Sequence, residues 1–199
     1  MDAIESLDWG TYAHFRFQAQ QLGLQAKQFP ATAQVMQDYY SLGSYVVAGL
    51  FIVLTILLFL LQKKHRSALV ALLTFGAAVA LIEGVRHLVP RRRPPDAQDW
   101  LGADHMLGSY PSTAVFLLML SMILLGFAGR DLVQRRWLRG VGVLLAMLLT
   151  VAVCMSQFFL ALHFLTDIIG GIVGAAAFGL IAGRFLKQPQ ADNQAPTPA

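Results

Sequence analysis

Charge is scarce in this chain: Asp, Glu, Lys and Arg make up 13% of its 199 residues, while 56% are hydrophobic. Water-soluble domains carry about a quarter charged residues, so a soluble globular fold is excluded and an integral membrane protein is expected. Cysteine is nearly absent. Cys154 stands alone inside an apolar run, which rules out a disulfide framework and leaves a buried structural thiol. The start of the chain lacks a basic segment followed by an apolar core, so no cleaved signal peptide is expected. The net charge of +4 sits in clusters beside apolar runs, a pattern that reports membrane topology and gives no sign of a nucleic-acid partner.

What the chain has in quantity is apolar sequence. Residues 44–61 form a first candidate span, closed by Gln62-Lys63-Lys64-His65-Arg66, and 67–89 a second. A polar stretch over 90–111 holds Arg91, Arg92 and Arg93, then 112–128 forms a third span. Residues 140–183 are apolar for about twice the roughly 20 residues a span needs, so the chain must fold back within them. Gln157 and His163 are the strongly polar residues there before Asp167, and the turn is expected between them. Residues 1–43 mix Trp9, Tyr12, Phe15, Tyr39 and Tyr40 with polar residues around Pro30, as interfacial amphipathic helices do. The Gln-, Pro- and Ala-rich residues 187–199 are expected to be disordered. The expected architecture is an all-α integral membrane bundle of five transmembrane helices over 44–186, with 1–43 as an interfacial N-terminal segment. Gly170-x-x-x-Gly174 and Gly179-x-x-x-Gly183 give the last span a small face for close helix packing.

Five spans alternate the loops between two sides. One side collects the loops near 62–66 and 129–139 and the C-terminus, with nine of the fifteen basic residues against Asp131 and Asp192. Basic loops stay cytoplasmic, so the C-terminus is expected inside and the N-terminus outside. Arg86 to Arg93, Ser112, and His163 with Asp167 then all fall on the extracytoplasmic face.

Those residues suit one chemistry. His163 and Asp167 are four apart, a spacing that shares one face of a helix. A carboxylate there fixes the imidazole tautomer and sharpens its other nitrogen as a nucleophile. Arg86 and Arg93 offer guanidinium forks for phosphate. Arg91 and Arg92 are read equally well as anchors to lipid headgroups. Ser112, after Pro111, opens a helix whose free N–H groups favour an anion.

In order and spacing these residues resemble the type-2 phosphatidic acid phosphatase superfamily, whose motifs are Lys-x6-Arg-Pro, Pro-Ser-Gly-His and Ser-Arg-x5-His-x3-Asp. Here they stand as Arg86-x6-Arg93-Pro94, Pro111-Ser112-Thr113-Ala114 and Ser156-Gln157-x5-His163-x3-Asp167. The resemblance implies a phosphohistidine at His163 oriented by Asp167, and phosphate held by Arg86, Arg93, Ser112 and Thr113. It also implies a lipid-phosphate substrate and neither metal nor cofactor. Three departures alter the expectation. Arg86 replaces a lysine and keeps its charge, Gln157 replaces an arginine, and Ala114 replaces the histidine that protonates the leaving group. His105 and His87 are the candidate substitute acids. An alkoxide leaving group, near the pKa of about 15.7 for bulk water, needs a proton as it departs, whereas a phosphate monoester has its relevant pKa near 6 and does not. Hydrolysis without the acid is therefore expected to favour lipid diphosphates of the polyisoprenyl type. Two alternatives use the same pocket: a lipid-phosphate binding or transport protein, and a lipid phosphotransferase.

Overall fold

The structure, a computed structural model, describes residues 3–21, 30–97 and 108–186. These form seven helices: α1 (Ala3–Gln21), α2 (Pro30–Ser41), α3 (Tyr45–Leu61), α4 (His65–Leu88), α5 (Thr113–Gly129), α6 (Arg136–Phe159) and α7 (Leu165–Leu186). His105 and the 187–199 tail lie outside the described residues.

Local chemistry sets most boundaries. Pro30 opens α2, where its missing N–H costs nothing. The Ser44 hydroxyl caps α3 by accepting from the Val47 N–H, and Ser112 caps α5 by accepting from Val115. α3 ends as Lys63 enters the left-handed region at φ 59° and the Lys64 N–H reaches back to the Phe59 carbonyl at 2.8 Å.

α5 is the axle of the bundle. Val115, Leu117, Leu118, Leu120 and Leu124 are fully buried along it, under α3, α4, α6 and α7. The small face of α7 is what allows its close approach. A Cβ at Gly171 would lie 2.8 Å from the Ser112 carbonyl oxygen, and one at Gly174 would lie 2.4 Å from the Phe116 ring. α6, by contrast, turns Leu144, Met147, Leu148, Val151 and Met155 outward, as a helix bathed in lipid does.

α4, α6 and α7, of 24, 24 and 22 residues, are each long and apolar enough to cross a membrane. Residues 34–41 of α2 and the whole of α3, bent by 42°, qualify jointly as a fourth. α5 is apolar but has 17 residues, about 25 Å of helix against a hydrocarbon core of about 30 Å. The expected five spans thus appear as three or four by length and composition. Helices shielded by neighbours, as α5 is, need not match the bilayer by themselves.

The N-terminal helix has a firm seat. Trp9 and Tyr12 meet the Phe164 ring edge-on, with centroids 5.3 and 6.1 Å away. The Tyr12 hydroxyl donates to Asp96 at 3.1 Å. Burial, and then the Asp96 charge, push the Tyr12 phenol up to about 12.

Candidate active site

The turn between α6 and α7 carries the central residue. The Leu160 and Leu162 N–H groups bond back to the Ser156 and Gln157 carbonyls at 2.9 Å, and Ala161 takes a left-handed φ of 52°. A non-glycine residue held there is strained; this kink sets His163 in the bundle interior, 4% exposed. His163 precedes α7. The shared helix face expected from its spacing to Asp167 is therefore not the arrangement found. Asp167 lies in the first turn, caps it by accepting from the Phe164 N–H at 3.0 Å, and so brings Oδ2 to 3.6 Å from His163 Nδ1.

Arg93 reaches the same imidazole from the segment after α4. Its Nη1 lies 2.8 Å from His163 Nε2 and donates to the Leu162 carbonyl at 3.0 Å. A guanidinium can only donate, so Nε2 accepts and the ring proton sits on Nδ1, facing Asp167. Burial, with Asp167 opposing and the Arg93 charge adding to it, pushes His163 down from 6.5 to about 4. The imidazole is neutral at neutral pH and offers an Nε2 lone pair, as a nucleophile must.

Asp167 is held on both oxygens. Oδ1 accepts from Arg91 at 2.8 Å, and Oδ2 accepts from the Ser109 hydroxyl as well as from Phe164. The Ser112 N–H binds the Asp167 carbonyl at 2.9 Å, tying the start of α5 to the start of α7. The Ser112 hydroxyl donates to Gln157 Oε1 at 2.7 Å. That leaves Gln157 Nε2, a fully buried amide, and His163 Nδ1 with no hydrogen-bond partner among the described residues. Native interiors rarely leave buried donors unmet; His163 Nδ1 has the Asp167 carboxylate 3.6 Å away, whereas Gln157 Nε2, on the amide that accepts from Ser112, is a donor open to an anion.

The other expected residues fall at different distances from this centre. Arg86 donates to the Gly108 carbonyl at 3.1 Å and to Glu83 at 3.2 Å, so its charge is already shared with a carboxylate. Thr113 is the first residue of α5, half-buried, and His87 is exposed at the end of α4. Ala114 is buried against the α2–α3 turn: a Cβ built on Gly43 would come within 2.5 Å of the Ala114 Cβ. Tyr40 packs against the apolar clusters of Ala114 and of Leu160 and Leu162. The space around position 114 is filled.

Sequence reading missed Asp8, Ser109 and Thr166, and left Arg91 between protein and lipid roles. Thr166, next to Asp167, was the one with a positional signal. Asp8 carried none, because nothing in 1–43 points to a partner more than 80 residues away.

An apolar cavity lies elsewhere, between α5 and α6, lined by Met122, Phe127, Val143 and Met147 with Arg130 and Arg139 among its residues.

The helical architecture is one already seen in a solved membrane protein. A crystal structure of a transmembrane PAP2-type phosphatidylglycerolphosphate phosphatase from Bacillus subtilis superposes with a TM-score of 0.74 at 23% sequence identity, over 96% of this chain and 90% of that one. No family model and no curated protein matches the sequence. At that identity the likeness establishes the fold the two share.

Proposed function

We infer that the protein is a member of the type-2 phosphatidic acid phosphatase superfamily that hydrolyses lipid phosphates through a covalent phosphohistidine. The observation that carries this reading is the buried line Arg93–His163–Asp167: guanidinium at 2.8 Å from Nε2, carboxylate on the Nδ1 side. Arg93 caps the nucleophile through its 2.8 Å contact with Nε2. An incoming phosphoryl group draws the guanidinium onto its own oxygens, frees Nε2, and receives donors from Arg93 and Gln157. Nε2 forms the N–P bond as the P–O bond to the lipid breaks, and the ring charge that develops falls on Nδ1–H opposite Asp167. Water then cleaves the N–P bond, releasing phosphate and the free imidazole. Positioning and charge stabilisation suffice for this chemistry.

The substrate class follows from position 114. With the acid replaced by a packed methyl, loss of roughly 10²–10⁴-fold of general-acid assistance falls on alkoxide leaving groups and spares phosphate leaving groups. A lipid diphosphate is therefore preferred over a monoester. Five spans with 1–43 at the outer interface, the bundle over 44–186, the 187–199 tail and the C-terminus inside, and the site on the extracytoplasmic face, complete the reading; the charge asymmetry of the loops supports it.

The filled space at Ala114 and the neutral Gln157 also favour a second reading, a protein that binds lipid phosphate without turnover. Incubation of purified protein with a lipid diphosphate separates the two. The phosphatase gives acid-labile, base-stable phosphate on His163 that is lost in His163→Ala, and a pure binder gives none.

A further inference from the structure

The N-terminal helix contributes a buried carboxylate to this centre. Asp8, on α1, is 1% exposed. It accepts from the Thr166 N–H at 3.1 Å and from the Thr166 hydroxyl at 2.5 Å, and it is ion-paired with Arg91. Thr166 N–H belongs to the first turn of α7, where backbone donors have no helical partner and negative charge is favoured. Asp8 thus caps from α1 the helix whose first turn bears Asp167. Arg91 links the two acids: Nη2 pairs with Asp8, while Nη1 donates to Asp167 Oδ1 at 2.8 Å and to the Thr166 hydroxyl at 2.7 Å. The guanidinium also lies over the Phe164 ring, 4.8 Å from its centroid.

We propose that Asp8 and Arg91 are positioning residues for the reaction: Asp8 takes up part of the Arg91 charge and anchors the start of α7, so that Asp167 stays aimed at His163 Nδ1 with its own charge available. This rests on the phosphohistidine reading above. Without Asp8, Arg91 has Asp167 as its remaining buried carboxylate. The guanidinium then competes with the imidazolium character that develops at Nδ1, and the first turn of α7 loses its cap. Neither residue touches the phosphoryl group, so substrate binding is left nearly unchanged.

The test uses the full-length protein in lipid nanodiscs with a lipid diphosphate. It follows the rate and the amplitude of acid-labile phosphate formation on His163, together with KM. Asp8→Asn is expected to slow phosphorylation about 10–100-fold, the range of outer-shell orienting partners, with KM within about 3-fold. Asp8→Glu is expected to recover part of the rate. Arg91→Met combined with Asp8→Asn is expected to be far less than additive, because the two act along one path. A smaller burst amplitude at wild-type rate would mean that Asp8 serves folding alone, and would overturn the proposal; so would additive losses. Absence of acid-labile phosphate in the wild type would instead overturn the phosphatase reading from which the proposal starts.

Discussion

At the scale of single residues, the account turns on protonation and space. His163 has its folded pKa pushed from 6.5 to about 4, chiefly by burial. Between those values the unfolded chain binds more protons than the folded one, so stability falls as pH drops through that window. The nucleophilic form, however, persists down to about pH 4. Titration of the His163 ring itself, followed by NMR without substrate, is therefore expected to have its midpoint near 4, and a midpoint near 6.5 would contradict the buried Arg93–His163 contact. Position 114 gives a second prediction. Because Gly43 and Tyr40 crowd Ala114, Ala114→His is expected to overpack the α2–α3 turn and cost about 1–3 kcal/mol. Thermal unfolding in detergent measures that loss; a full recovery of monoesterase activity with unchanged stability would show the space to be open. Gln157→Arg is expected to tighten binding of inorganic phosphate by adding a charged donor beside Ser112, and titration calorimetry reads the change.

Helices decide which of these residues meet. The small face of α7 is what seats the start of α5 beside Asp167, so Gly171→Ala is expected to push on the Ser112 carbonyl, which cannot rotate away. A loss of phosphorylation rate with α-helical content preserved in circular dichroism is the expected result. This part of the fold was legible in the sequence: the glycine spacing announced a close helix contact, and the two-span length of 140–183 announced the turn that bears His163. The helical pairing of His163 with Asp167 was not. Periodicity assumes that a helix continues, and the left-handed Ala161 ends one helix before the next begins. Span lengths carry a related limit of periodicity. Apolar composition marked five helices, but it does not reveal that α5 is sheathed by its neighbours and so can be short.

For the molecule as a whole, the sequence brought Arg93, Ser112 and His163 to one end of the bundle through alternation of spans alone. It could not place α1, whose aromatic and acidic residues look like those of any interfacial helix. Only the packed structure turns Trp9 and Tyr12 toward Phe164 and Asp8 toward Thr166. The charge asymmetry predicts that a cysteine placed at Arg135 reacts with a membrane-impermeant thiol reagent only after the cytoplasmic side is opened, while one placed at Arg92 reacts in intact cells. The central claim is that His163 is phosphorylated by lipid phosphates and more readily by diphosphates. Its most direct measurement is single-turnover labelling of His163 with matched lipid mono- and diphosphates, phosphorus-labelled at the terminal group. Rapid labelling from the diphosphate, labelling from the monoester slower by ~10²-fold or more, and none in His163→Ala, is the predicted result; equal rates from both lipids, or label on any other residue, would contradict it.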